Sequence, residues 1–158
     1  MSGKIKAFLA ISYLVVFGLG AGLGIYILPI LTAKPNATIA QVQDVAKRAV
    51  YQGQFSKDQE GSDAVHWAEG KLFVAPDGIA FEGNVAPGPD YKIYFTKEQA
   101  HNAKEFLAMK DQAVLIHDLH NFGNFAKPIP SSFDVNEYTT VQIWCEAFSK
   151  FIGSAKYR

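Results

Sequence analysis

The pattern of apolar positions changes character twice along the chain. Residues 7–32, AFLAISYLVVFGLGAGLGIYILPILT, carry no charged side chain. A helix of that length, rising about 1.5 Å per residue, exceeds the roughly 30 Å hydrocarbon core of a bilayer and can span it with some tilt. After Pro35 the pattern becomes helical and amphipathic over 38–51: Ile39, Val42, Val45, Ala46, Ala49 and Val50 recur at helical spacing. Thr38 with Gln41 three residues later is a capping box, and Gly53 suits the stop. The spacing predicts a stalk helix whose stripe needs a cover: the domain, the bilayer interface or a second subunit.

From residue 64 the period shifts towards two. AVHWAEGKLFVA (64–75) reads as a strand with Val65 and Trp67 on its inner side, followed by the turn Ala75-Pro76-Asp77-Gly78. IAFEGNV returns with Ile79, Phe81, Gly83 and Val85 on one face and Ala80, Glu82 and Asn84 on the other. YKIYFT alternates Tyr91, Ile93 and Phe95 against Lys92 and Tyr94. Thr96 with Gln99 predicts a helix over 97–109 that buries Ala100, Ala103, Phe106 and Leu107. QAVLIHDL reads as a strand, NFGNFAKPIPSSF as a loop, and TTVQIWCEAF with FIGSA as a closing strand pair. The expected fold is mainly β: an antiparallel β-sandwich or barrel with one inserted helix, preceded by a transmembrane helix and an amphipathic stalk helix. The expected division is an anchor over 1–33, a stalk or linker over 34–54, and a β domain over 55–158.

Charge sets the orientation. Lys4 and Lys6 are the only charged residues before the apolar stretch, and all 15 acidic residues follow it. The positive-inside rule places the N-terminus in the cytoplasm and the β domain in the periplasm or outside the cell. The length of the run and the poor cleavage site at Leu31-Thr32-Ala33 favour an uncleaved signal anchor over a cleaved signal peptide. Gly18 with Gly22, and Gly20 with Gly24, would let two helices approach closely as a homodimer, although glycine is also simply common in membrane helices. A net charge of zero gives no electrostatic footprint for nucleic acid.

Candidate chemistry is sparse. No P-loop, GxGxxG, GxSxG, HExxH or CxxC occurs, so no enzyme motif is present. His117 and His120, three apart in a strand running into a loop, would point to opposite faces and make a poor metal pair. His66 on its strand and Asp90 in a turn read as structural. The single cysteine, Cys145, excludes an intramolecular disulfide. Val141, Ile143, Cys145 and Ala147 share one strand face, with Gln142, Trp144 and Glu146 on the other. Cys145 therefore faces inwards, either as a small hydrophobe with a raised pKa or as the lining of a pocket, where it could ligate a metal or haem iron. Lys150 could aid the thiol only if the chain turns back.

Four stretches in order, VHWAEGKLFV, GPDYKIYFT, FGNFAKPIP and YTTVQIWCEAFSKFIGSA, resemble the DM-thirteen domain over about residues 53–158. The resemblance implies a β-sandwich-like domain outside the cytoplasm with a proposed electron-transfer role, sometimes accompanying DOMON or b-type cytochrome modules. The family's signature cysteine falls on Cys145, as a free redox thiol or a ligand to a prosthetic group such as haem. His66-Trp67 departs from the small-residue, His-containing run of many members, so no haem role passes to His66. With no cytochrome or DOMON module in this sequence, the expected electron partner is a separate, cytochrome-type membrane protein. The competing expectation is a non-catalytic interaction module using the aromatic loop at Phe122, Phe125 and Pro128, or a small-ligand binder with a structural cysteine.

Overall fold

The computed structural model describes residues 2–158. Helix α1 runs Gly3–Leu31, long and apolar enough to cross a membrane, and none of its residues is buried. The chain leaving it is pinned at once. Lys34 N donates to His120 O (2.8 Å) and Ala37 N to Asn124 O (2.8 Å). Asn36 Oδ1 accepts from Gly123 N (3.1 Å) and Asn121 Nδ2 (3.0 Å). Gly123 is required there because a Cβ would meet the Asn36 amide at 2.4 Å.

Helix α2, Ile39–Arg48, forms with its capping box complete: Gln41 N donates to Thr38 Oγ1 (3.2 Å) and Thr38 N to Gln41 Oε1 (2.8 Å). Its buried Val42 and Val45 pack on Phe73, Ala75 and Ala80. The domain thus covers Val42, Val45, Ala46 and Ala49 of the predicted stripe, while Ile39 and Val50 stay exposed.

Eight antiparallel strands form two four-stranded sheets. One has the order β1 (Tyr51–Phe55), β2 (Ala68–Ala75), β3 (Gly78–Val85), β6 (Phe125–Pro128). The other has β5 (Val114–Leu119), β4 (Tyr91–Thr96), β7 (Thr140–Cys145), β8 (Lys150–Lys156). Alternate residues of both sheets meet in one core: Leu72, Val74, Ile79 and Phe81 from the first, Ile93, Phe95, Val141, Ile143 and Cys145 from the second. Each fully buried aliphatic or aromatic side chain there is worth about 1.5–3 kcal/mol, so this inter-layer contact dominates the stability. The outer face of the second sheet is covered by helix α3, Ala103–Met109, through Phe106 on Tyr94, Trp144 and Phe151.

Four local expectations are corrected. Residues 64–67 are not strand: Asp63 Oδ1 accepts from Val65 N (2.8 Å) and the Asp63 carboxylate bonds the His66 ring (2.8 Å), a local turn that outcompetes the ladder. Val65 is consequently exposed rather than inward, and Trp67 lies half-buried under Lys57 Nζ, 4.0 Å from the ring centroid. Thr96 does not cap a helix, because its Oγ1 donates to Glu98 O (2.6 Å). The cap is Asn102, which accepts from Glu105 N (3.0 Å), so α3 starts later and leaves Leu107 exposed. Finally, β1 and β6 lie in segments read as helix terminus and loop; Gly53 sits mid-strand, where a Cβ would meet Lys156 O at 2.9 Å.

Candidate functional site

Cys145 closes β7 and stands directly opposite Tyr91, the first residue of β4. Cross-strand partners place their Cβ atoms about 4.5–5.5 Å apart, so thiol and phenol are neighbours on the inner face. The thiol is buried, 2% exposed, and its Sγ donates to Pro89 O at 3.0 Å. Burial pushes its pKa up; the nearby Phe148 and Ala147 backbone amides pull the other way without prevailing. The β7–β8 turn that supplies those amides is fixed by Ser149 in the left-handed region (φ 48°). Lys150 does turn back to pair with Cys145 in register, but its side chain is exposed and does not contribute to the shift.

A cavity of about 170 Å³ is lined in part by Cys145. Tyr91 and Cys145 form its floor, Pro87, Gly88 and Pro89 one wall, and Val65, His66 and Phe148 the rim. The remaining wall comes from Gly22, Ile25 and Tyr26 of α1. Gly88 is needed for space: a Cβ there would lie 2.2 Å from the Tyr91 hydroxyl. Burial first, and then the neighbouring Cys145, raise the Tyr91 pKa, so the phenol is a neutral donor. His66, which sequence reasoning set aside, borders the same cavity; its Nδ1 is engaged by Asp63 (2.8 Å), leaving Nε2 for other partners. The bond from His66 holds the Asp63 carboxyl below its usual range.

Tetrapyrrole binding does not fit this geometry. The cavity is below the roughly 300–1,000 Å³ typical of sites for drug-sized ligands. Iron ligation would also have to strip Sγ from the Pro89 carbonyl.

The remaining candidates lie elsewhere. His117 Nε2 bonds Pro128 O at 2.5 Å, while His120 stands 3.8 Å from an Asp118 oxygen and borders a separate cavity. No cluster of three or more His, Cys, Asp or Glu able to hold a metal ion occurs among the described residues. Asp90 takes the left-handed conformation (φ 53°) in the turn before β4 and pairs with Lys92 (2.9 Å). Phe125 of the aromatic loop is buried, stacked on Phe81 at 5.2 Å, and Phe122 meets the Tyr91 ring edge-on at 6.0 Å. Trp144, on the opposite face from Cys145, is fully buried against Phe106 (4.8 Å). Beside it, Glu146 accepts from Lys110 (2.6 Å) and from the Tyr94 hydroxyl. Burial would raise the Glu146 pKa, but these two bonds hold it below its ordinary value.

Among known families, the model of the one described as Electron transfer DM13 matches residues 54–157. No curated protein and no solved structure matches the chain.

Proposed function

This chain belongs to the electron transfer DM13 family, and from that premise we propose that it is a membrane-anchored redox domain acting through Cys145. The anchor is residues 1–33, the linking segment 34–54 and the redox domain 55–158. Lys4 and Lys6 orient the N-terminus to the cytoplasm and the domain to the other side. A separate membrane protein of cytochrome type serves as electron partner. Pairing of two copies through Gly18 and Gly22 would use the helix face that also walls the Cys145 cavity, so it is the competing use of that face.

The observation that carries the redox reading is the cavity lined by Cys145, because a thiol sealed in a core does no chemistry. With no second cysteine, the chemistry available to Cys145 is intermolecular. A peroxide-class oxidant takes two electrons from the thiolate sulfur as its O–O bond breaks, leaving sulfenic acid and water. A partner thiol then displaces the hydroxyl as a second water and forms the S–S bond. The thiolate is the reactive form, and the raised pKa keeps it scarce at neutral pH. The expected alkylation rate of the full chain in lipid nanodiscs is therefore slow near pH 7 and still climbing above pH 9, the ordinary thiol value. Peroxide should yield a trappable sulfenic acid on the same residue. A thiol that neither alkylates nor oxidises until the protein is unfolded would make Cys145 a core residue and end the redox reading.

A further inference from the structure

We propose that the Cys145 cavity binds the ring of a membrane quinone entering from the bilayer. This deepens the redox reading and rests on it for the placement of α1 in the membrane. The first support is position. Gly22, Ile25 and Tyr26, which wall the cavity, lie within the uncharged 7–32 stretch, so the mouth opens at bilayer depth. Its rim carries Val65 and Phe148, each 51% exposed. Two half-exposed apolar side chains at the root of a membrane helix suit contact with lipid, and a ligand arriving there has to partition into lipid.

The second support is the chemistry of the floor. Three tyrosines are buried among the described residues: Tyr91, Tyr94 and Tyr157. Tyr94 donates to Glu146 and Tyr157 to Val135 O. Tyr91, only 1% exposed, has no hydrogen-bond partner among the described residues, and its hydroxyl lies against Gly88 in the cavity wall. An unpaired hydroxyl on a buried ring that lines a cavity is an orienting donor, and it suits a ligand with an acceptor oxygen. His66, held by Asp63 through Nδ1, offers Nε2 from the rim to a second ligand oxygen, as donor or acceptor. A lipophilic ring with two oxygens that alternate between carbonyl and hydroxyl meets both demands. The third support is size: about 170 Å³ takes a single substituted ring, with its tail leaving along α1.

The test uses the full chain in nanodiscs with a decyl-tailed, fully ring-substituted benzoquinone, which cannot add to thiols, and decanol as the tail-only control. The quinone should slow maleimide alkylation of Cys145 several-fold and quench tryptophan fluorescence saturably, with decanol doing neither. Tyr91→Phe should raise the half-saturating quinone concentration about tenfold, the loss of one hydrogen bond. Equal protection by decanol would make the cavity an acyl-chain slot and overturn the proposal. So would quenching unchanged by Tyr91→Phe, or no quinone effect in either readout. The two readings fail separately. Sulfenic acid formed at Cys145 without any quinone effect leaves the redox reading and removes this site. Saturable, Tyr91-dependent quenching in a protein whose thiol resists peroxide keeps the site and removes the redox reading.

Discussion

The two ends of the sandwich are built from the same residue types and finished in opposite ways. At the end remote from α1, Phe95, Phe133, Tyr138, Tyr51 and Tyr157 pack ring on ring, with Phe133 and Tyr138 stacked at 4.7 Å and Phe95 5.0 Å from Phe133. Two hydroxyls there are used: Tyr157 donates to Val135 O (2.8 Å) and Tyr51 to Asn136 Oδ1 (2.7 Å). At the α1 end, Tyr91 keeps an unpaired hydroxyl, Cys145 lines a cavity, and the rim is half-exposed apolar surface. One end is a cluster of stacked rings, the other an unpaired hydroxyl over a cavity at the only thiol. A hydroxyl without a partner beside a cavity is the kind of departure from full packing and pairing expected where a protein binds something. Ser62 Oγ, Gln142 Oε1 and Trp144 Nε1 are also buried without a partner, away from this cavity.

The largest expected effect tests whether the ends really differ in packing. Phe95→Ala removes a fully buried ring from the ring cluster and should cost about 3–5 kcal/mol. Cys145→Ala deletes one sulfur that already borders a cavity and should cost about 1 kcal/mol. Urea unfolding of the detergent-solubilised chain measures both. Equal losses would mean that the Cys145 end is packed as tightly as the other, and the contrast would collapse.

The sequence made part of this contrast legible. Alternation along YKIYFT and TTVQIWC put Tyr91 and Cys145 on inner faces, as β4 and β7 have them, because strand periodicity is local. Their adjacency was hidden, since it depends on register between segments some 50 residues apart. The role of His66 was hidden for a different reason. Asp63 captures the backbone and ring just downstream, so a stretch with a strand-like pattern becomes the rim of a cavity. β6 escaped because four residues ending in Pro128, inside a run of loop-forming types, carry almost no periodic signal. Helix α1 could be read as a span, but nothing in its composition foretold that Gly22, Ile25 and Tyr26 would wall the site.

A smaller effect sharpens the contrast through two glycines. Gly88→Ala forces a Cβ to within 2.6 Å of the Tyr91 ring, and should cost about 1–3 kcal/mol through overpacking. Gly78, at the other end, has its nearest neighbours at 3.5 Å, an ordinary contact. Gly78→Ala should be neutral or stabilising by about 0.5 kcal/mol, because alanine loses less chain entropy in a strand. The same urea titration reads the difference. A neutral Gly88→Ala would show that Tyr91 can move aside, and that the cavity end is soft as well as hollow.

The smallest effect isolates the hydroxyls. Tyr157→Phe and Tyr91→Phe each delete one oxygen from a buried ring, so their apolar packing terms nearly cancel. Tyr157→Phe also leaves Val135 O without the bond it accepts, and should cost about 1–2 kcal/mol. Tyr91→Phe breaks no hydrogen bond within the protein, so its stability should be nearly unchanged. The size of the Tyr91 effect is what matters. A loss as large as that of Tyr157→Phe would mean that its hydroxyl is already paired in the folded protein, and the donor would then be spoken for. A neutral result leaves a hydroxyl that folding does not need, facing a cavity beside the only thiol.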